Sequence, residues 1–62
     1  MDTWIKCEYI PPVNGEVVLT KIDDENGVRN VQRLKKVGNL WWHPDGSMYV
    51  YYTPTHWRSI QD

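Results

Sequence analysis

The chain alternates short apolar runs with turn signals from one end to the other. The apolar runs are rich in Val, Ile, Leu, Thr, Trp and Tyr, which suit a pleated, half-buried surface, and no window carries a sustained helical period. The turn signals are four dipeptides that favour tight reversals: Asn14-Gly15, Asn26-Gly27, Gly38-Asn39 and Asp45-Gly46. The pattern predicts an all-β fold, a small antiparallel meander of five or six short strands that forms a twisted sheet or a partly open barrel.

The strand boundaries follow from this punctuation. Pro54 lacks a backbone donor, so it should end the strand before it and leave only a short final strand. The segment from Ile10 to Val13 contains two prolines and is predicted to be an extended connector. The predicted strands include Thr3 to Tyr9, the two arms of a hairpin around Asn26-Gly27 (the second from Val28 to Val37), Leu40 to His43, Met48 to Tyr52 and Thr55 to Arg58. All belong to one domain, residues 1–62.

The central hairpin has a register that the sequence can test. If Asn26-Gly27 forms a type I′ turn, one alignment produces an opposite-charge pair and two apolar pairs, each worth roughly 0.2–1 kcal/mol. These pairs are Asp24 with Arg29, Ile22 with Val31, and Leu19 with Leu34. A longer loop through Asp23, Asp24 and Glu25 would shift the alignment.

Tryptophans lie close to both ends of the chain, where most domains fray. Trp4 and Trp57 are predicted to be buried together, which would tie the two ends into one core. Pro11 and Pro12 are expected to pack on one of these two rings rather than to act as a docking motif.

Length and composition restrict how the chain is stabilised and where it works. A 62-residue domain buries only about 60 % of its unfolded surface, and the single cysteine, Cys7, excludes an intramolecular disulfide. Four Trp and four Tyr must therefore supply much of the core. The lone thiol, the absence of a visible signal peptide and the lack of a long apolar stretch predict a cytoplasmic protein that does not enter membranes.

The densest aromatic patch is formed by Trp41 and Trp42 opposite the segment from Tyr49 to Tyr52. Because neighbouring strand residues point to opposite faces, the two tryptophans cannot both be core in a single sheet. One interpretation is that chain ends or a homodimer partner cover the second face. The other is a binding surface, since Trp, Tyr and Arg are the usual hot-spot residues. The predicted partner-binding residues are Trp41, Tyr49 and Tyr51, with Arg33 and Lys35 at the rim.

Basic residues concentrate on the third predicted strand, beside the aromatic patch. Cations interleaved with aromatic rings suit single-stranded nucleic acid, whose bases stack and whose phosphates pair with Lys and Arg. The basic residues are Arg29, Arg33, Lys35 and Lys36. The net charge of −1 supplies no general basic footprint, and the same residues could simply protect an edge strand against aggregation.

The sequence offers little catalytic or metal-binding chemistry. His43, His56, Cys7 and Asp45 have no spacing typical of a zinc site. Cys7 with His56, or Ser47 or Ser59 with a histidine, would lack an orienting third group. So small a domain is not expected to enclose a pocket of roughly 300 Å³ or more. The expectation is a protein that is not an enzyme and carries no cofactor or metal.

Four short motifs are spread over most of the chain: Trp4-Ile5, Ile10-Pro11-Pro12 with Gly15, Val17-Val18-Leu19 and Thr55-His56-Trp57. In these motifs the chain resembles a family of short phage and prophage proteins catalogued as a domain of unknown function (family five-five-one). The resemblance runs from Trp4 to Ile60, although Ile10 stands where Leu is usual and a Pro-rich end is missing after Trp57. The resemblance implies a phage accessory protein in the bacterial cytoplasm and transfers no activity, cofactor or catalytic residue.

These observations lead to one functional hypothesis and two alternatives. The hypothesis is a non-enzymatic, phage-type accessory protein that binds, and thereby modulates or inhibits, a bacterial host protein through an aromatic β-surface. The first alternative is a module that binds single-stranded nucleic acid with the same aromatic and basic residues. The second is a self-associating structural protein, a homodimer whose aromatic face is buried against itself.

Overall fold

A computed structural model describes residues 3–60, which form one antiparallel sheet of five strands. The strands are β1 (Ile5–Lys6), β2 (Val17–Asp24), β3 (Gly27–Val37), β4 (Leu40–Trp42) and β5 (His56–Ser59). Their order across the sheet is β1-β5-β2-β3-β4. The all-β prediction is confirmed, because the described residues are strands, turns and loops without a helix. Strands β2 to β4 form a meander, and β5 returns to lie between β1 and β2. The prediction that the chain has no signal peptide concerns a segment that starts at residue 1, and residues 1 and 2 lie outside the described part.

The central hairpin exists, but its predicted register is wrong. Asp24 lies opposite Gly27, and Val18 rather than Leu19 lies opposite Leu34. A type I′ turn needs a positive φ at both central residues, yet Gly27 has a φ of 104° while Asn26 has a negative φ. The turn residues are therefore Glu25 and Asn26, and Gly27 begins β3. Asp24 and Arg29 still meet as predicted, as an ion pair at 2.8 Å, although they are not cross-strand partners.

A β-bulge explains why the register changes along the hairpin. Between the pairs Thr20–Gln32 and Ile22–Arg29, β2 has one residue and β3 has two, Asn30 and Val31. Asn30 has a φ of 56°, in the left-handed region that Asn tolerates better than most residues. The extra residue bends β3 and could not be read from the alternation of side chains.

The turn between β3 and β4 matches its prediction. Val37 pairs with Leu40, which leaves Gly38 and Asn39 as the two turn residues. Gly38 has a φ of 62° and Asn39 a negative φ, the signs that a type II′ turn requires. The following loop is closed by a hydrogen bond from the Gly46 N–H to the His43 carbonyl, at 2.8 Å.

The predicted strand from Met48 to Tyr52 is wrong. Only Tyr49 makes a β-bridge, to Trp42, and the Val50 N–H donates to the Trp41 carbonyl at 2.9 Å. After Tyr49 the chain leaves the edge of the sheet, and Val50 and Tyr52 pack against the buried cluster. Because these two side chains cover the buried cluster, the segment turns away from the sheet and does not continue as a sixth strand.

The core lies on one face of the sheet, here called the inner face. Its buried cluster comprises Val18, Leu34, Trp41 and Trp57, and Thr20 beside it is fully buried. The Thr20 hydroxyl donates to the Gln32 carbonyl at 2.8 Å, so this buried polar group is satisfied. The opposite, outer face bears the other side chains of the same strands, including Leu19, Lys21 and Arg33, because strand residues alternate.

The two ends of the chain are tied together, but not by stacking of two tryptophans. Ile5 pairs with Trp57, which puts Trp57 in the core and leaves Trp4 half-buried on the outer face. There the Trp4 ring lies under two cations, Lys21 Nζ at 4.4 Å and the Arg58 guanidinium at 5.2 Å. The predicted shared burial of Trp4 and Trp57 is therefore wrong. Ile5 shares the inner face with its partner Trp57, and Trp4, the residue next to Ile5, points to the opposite face.

Thr55 fastens the returning segment to β2. Its hydroxyl oxygen accepts from the Asp23 N–H at 2.8 Å, and its own N–H donates to the Lys21 carbonyl at 3.0 Å. The same hydroxyl lies 2.7 Å from His56 Nδ1, in a hydrogen bond between neighbouring residues. The Thr55-His56-Trp57 motif thus has a structural role, which is to attach the last strand to β2.

Candidate functional site

The two adjacent tryptophans of β4 are on opposite faces of the sheet, in the reverse of the predicted order. Trp41 is only 3 % exposed and belongs to the core, so its predicted place on an outward surface is wrong. It lies opposite Lys36, whereas Trp42 lies opposite Lys35 and bridges to Tyr49. The residue that shares a face with Tyr49 is therefore Trp42, because cross-strand partners point the same way.

Three aromatic rings form a continuous chain at this edge of the outer face. Trp42 and Tyr49 meet edge to face with centroids 5.4 Å apart, and Tyr49 and Tyr51 repeat that geometry at 5.4 Å. Tyr51 is 87 % exposed and Tyr49 is 38 % exposed, while Trp42 is half-buried. We call Trp42, Tyr49 and Tyr51 the aromatic surface. Edge-to-face contacts hold the rings in place without covering them.

Arg33 and Lys35 lie beside the aromatic surface, as the sequence predicted for its rim. Lys35 is the direct cross-strand partner of Trp42, and Arg33 precedes it by two residues on the same face. A Cβ built on Gly46 would lie 3.6 Å from Lys35 Nζ, so the Lys35 side chain extends across the loop after β4. The structure thus brings together four of the five predicted site residues, Tyr49, Tyr51, Arg33 and Lys35, and replaces Trp41 with Trp42.

Charge is segregated in a way that the net charge of −1 conceals. Arg33, Lys35, Lys21 and Lys6 all belong to the outer face, where the register aligns Lys6 and Lys21 with His56. Acidic residues gather instead at the tip of the β2–β3 hairpin. There Arg29 lowers the pKa of Asp24 through a hydrogen bond to its carboxylate, and the Asn26 N–H adds to the effect. The outer face is therefore more basic than the chain as a whole.

The inner face has a cavity of about 480 Å³, which the sequence reasoning wrongly excluded. Two loops, residues 7–16 and 43–55, cross this face and leave a space between them that no strand pattern could disclose. On the inner face the lining includes Lys36 and Trp41, and the two loops supply Cys7, Glu8, Pro11, Thr53, Pro54 and Thr55. The cavity also reaches the edge of the sheet, where Lys6, Asp23 and His56, whose strand positions belong to the outer face, complete the lining. This volume lies within the range of small-molecule sites, about 300–1,000 Å³.

The cavity brings Cys7 and His56 to one place, but its chemistry does not favour a nucleophile. Burial raises the pKa of the Cys7 thiol, and the nearby positive charge of Lys36 only partly opposes that rise. A raised pKa reduces the thiolate fraction on which nucleophilic attack depends. His56 Nδ1 is engaged by the Thr55 hydroxyl. Ser59 is exposed on β5, and Ser47 lies in the loop after β4, where its N–H bonds to Asp45.

The candidate metal ligands are also dispersed. Within residues 3–60, no group of three or more His, Cys, Asp or Glu side chains is arranged to hold a metal ion. Asp45, one of the candidates, accepts a hydrogen bond from the Ser47 N–H at 2.9 Å, and this bond lowers the pKa of Asp45.

The described part of the chain also contains no helix of the length and apolarity that a membrane crossing requires.

Comparison with known protein families, with curated proteins and with solved structures finds no match to this chain.

Sequence reasoning missed two features of these faces. It found the exposed aromatic cluster but chose the wrong tryptophan, because alternation alone does not say which face is the core. It missed the cavity because that space is made by loops. Lys36 was one visible signal: it adjoins Lys35 and must therefore point to the opposite, inner face.

Proposed function

We propose that this protein is a non-enzymatic, phage-type accessory protein that binds a bacterial host protein through the aromatic surface, and that this binding modulates or inhibits the host protein. The contact residues are Trp42, Tyr49 and Tyr51, with Arg33 and Lys35 at the rim. The observation that carries the proposal is the chain of two edge-to-face ring contacts at 5.4 Å that ends in the 87 % exposed Tyr51. A large ring held so openly has no role in the core of its own domain.

The surroundings of the rings support a protein interface. A groove of about 260 Å³ lies next to Tyr49 and Tyr51 and is also lined by Leu40, which is 41 % exposed. Tyr and Trp rings near a groove that admits an apolar side chain, bordered by Arg and Lys, are the composition of an interface hot spot. Rings fixed by their neighbours lose little conformational entropy on binding.

The phage and host parts of the proposal depend on the family resemblance. Small phage proteins of this kind commonly occupy the surface of a host enzyme, and the cytoplasm of the infected bacterium is where they would meet it. The non-enzymatic part is supported by the raised pKa of Cys7 and by the dispersal of the other nucleophiles and histidines.

Affinity capture from bacterial lysate, with and without nuclease, tests the proposal. The tagged protein should retain one stoichiometric protein that survives nuclease, and Trp42→Ala or Tyr51→Ala should weaken the measured affinity by about 2 kcal/mol, or roughly 30-fold. Tyr9→Ala is the matched control, since Tyr9 is 72 % exposed but follows β1 at the opposite edge of the sheet. Equal losses from all three variants would contradict the proposal. A dimer in solution that captures nothing would favour the self-associating alternative.

The basic character of the outer face favours one second candidate, a module that binds single-stranded nucleic acid. Bases would stack on Tyr49 and Tyr51, while Arg33 and Lys35 would pair with phosphates. An oligothymidylate titration at several salt concentrations separates the two functions. Binding driven by phosphates should fall steeply with salt, whereas an aromatic protein interface should depend on salt only weakly.

A further inference from the structure

Lys36 contributes a cation to the lining of the inner-face cavity. Within residues 3–60, Lys21 pairs with Asp23 and Arg29 pairs with Asp24, but Lys36 forms no ion pair. It is half-buried, lies opposite the buried Trp41, and lines the cavity together with Cys7. A half-buried ammonium that forms no ion pair attracts an anion.

The buried residues of the lining are apolar, and most of its exposed residues are polar or charged. Trp41 and Pro54 are buried, and Cys7 is half-buried beside them. Thr53 and Glu8 are exposed and stand at the mouth. Apolar walls with a few polar groups at defined points are typical of sites for small organic molecules.

The charges around the cavity restrict the class of anion. Lys36 is one of two ammonium groups in the lining; the other, Lys6, lies over the Tyr9 ring at 5.4 Å. Two lining residues, Glu8 and Asp23, are acidic, as is Glu16, which precedes the Lys35 partner Val17 and so lies next to Lys36. A phosphate dianion would meet this repulsion without the Arg fork or cluster of N–H donors that phosphate sites use. A monoanion with an apolar body would need only one cation and the walls.

We propose that the inner-face cavity binds an organic carboxylate whose apolar body contacts Cys7, Pro11 and Pro54 and whose carboxylate pairs with the Lys36 ammonium. Thr53, an exposed residue of the lining, has a hydroxyl that can supply a second donor. The carboxylate belongs either to a small free acid or to the C-terminus of a peptide that ends in an apolar residue. The residues of the aromatic surface, Trp42, Tyr49 and Tyr51, are not part of this lining, so the site is independent of the proposed function.

Adjacent lysines on opposite faces provide a matched pair of variants. The test is a ¹⁵N-correlation titration with 1-naphthaleneacetate, and with neutral 1-naphthaleneacetamide as the control ligand. Saturable shifts are expected at Cys7, Thr53, Thr55 and the Trp41 indole. Lys36→Gln should weaken binding at least about tenfold, the low end for a charge-assisted hydrogen bond, and Lys35→Gln should leave it unchanged. The amide should bind as weakly to the wild type as the acid binds to Lys36→Gln.

Three results would overturn the proposal. They are shifts centred on Trp42 and Tyr51, no saturable shift at all, or equal affinity for the acid in Lys36→Gln and the wild type. Retained dispersion of the Lys36→Gln spectrum shows that this variant is folded. As a second measurement, the acid should slow alkylation of Cys7, the single cysteine, by iodoacetamide. An unchanged alkylation rate at saturating acid would also contradict the site.

The two sources of the carboxylate are separated by a further arm of the same titration. Acetyl-Gly-Gly-Phe with a free C-terminus is compared with its C-terminal amide. Competition of the peptide acid with 1-naphthaleneacetate at the same resonances supports recognition of a chain terminus. Binding of the small acid alone supports a free organic acid.

Discussion

The indole N–H of Trp57 donates a hydrogen bond of 2.6 Å to the carbonyl oxygen of Ile10, across 47 residues of sequence. Trp57 also pairs with Ile5 in the sheet and is 9 % exposed, so one side chain joins β5, β1 and the proline-containing connector. The bond holds Ile10 at the start of that connector, in which Pro12 is buried. The motifs Thr55-His56-Trp57 and Ile10-Pro11-Pro12 are therefore joined to each other by this hydrogen bond.

Replacement of Trp57 should separate the hydrogen bond from the packing. Trp57→Phe leaves the Ile10 carbonyl without its donor and should lower the free energy of unfolding by about 1–3 kcal/mol. Trp57→Ala should lower it by roughly 3–5 kcal/mol, which approaches the whole stability of a 62-residue domain, about 3–9 kcal/mol. Urea denaturation followed by circular dichroism measures both. A Trp57→Ala protein that unfolds at the wild-type midpoint would refute the claim that Trp57 stabilises the fold.

The tryptophan pair of β4 should behave in opposite ways on substitution. Trp41→Ala removes a ring that is 3 % exposed and should destabilise the fold by roughly 3–5 kcal/mol. Trp42→Ala removes a half-buried ring of the aromatic surface and should leave the protein folded. Thermal unfolding of the two variants gives the comparison. Equal destabilisation would show that both rings belong to the core and would remove the basis of the proposed interface.

The bulge at Asn30 should tolerate glycine and reject a β-branched residue. Asn30 has a φ of 56°, where the Cβ of valine crowds the following carbonyl, so Asn30→Val should cost about 1–2 kcal/mol. Asn30→Gly adopts this φ freely and should change the free energy of unfolding by less than about 0.5 kcal/mol. Urea midpoints with unchanged m-values are the measurement. If glycine and valine destabilise alike, the Asn30 side chain, and not its backbone conformation, is what matters.

Acid should weaken the β2–β3 hairpin through Asp24. The Arg29 guanidinium lowers the pKa of this carboxylate in the folded state, so the carboxylate stabilises the fold above its ordinary unfolded pKa of about 3.9. That contribution is lost as the pH falls through the lower, folded value. Melting temperatures measured from neutral pH downwards should fall less steeply below about pH 4 in Asp24→Asn than in the wild type. Parallel curves would mean that Asp24 has the same pKa in both states.

The sequence predicted correctly those features of the fold that neighbouring residues determine, and it failed where distant contacts determine them. The turn at Gly38-Asn39 was confirmed because glycine at a position of positive φ is a property of two residues. The hairpin register was wrong because two sites displaced it, a turn one residue earlier than Asn26-Gly27 and the bulge at Asn30 and Val31. Beside these sites β2 makes long-range contacts, since Lys21 pairs with His56 of β5 and the Asp23 N–H donates to the Thr55 hydroxyl. Local sequence preferences do not include such contacts.

The sequence by itself determined the all-β class, the turn at Gly38-Asn39, the dependence on aromatic packing, and that Trp41 and Trp42 must point to opposite faces. These follow from backbone preferences and from the period of two, which act between near neighbours. Only the tertiary structure decided that Trp41 is core and Trp42 is surface, that Trp4 is separated from Trp57, and that Lys36 lines a cavity. The physical reason is that an isolated sheet has two equivalent faces. Residues 7–16 and 43–55 make them different when they fold over one face and leave the other open.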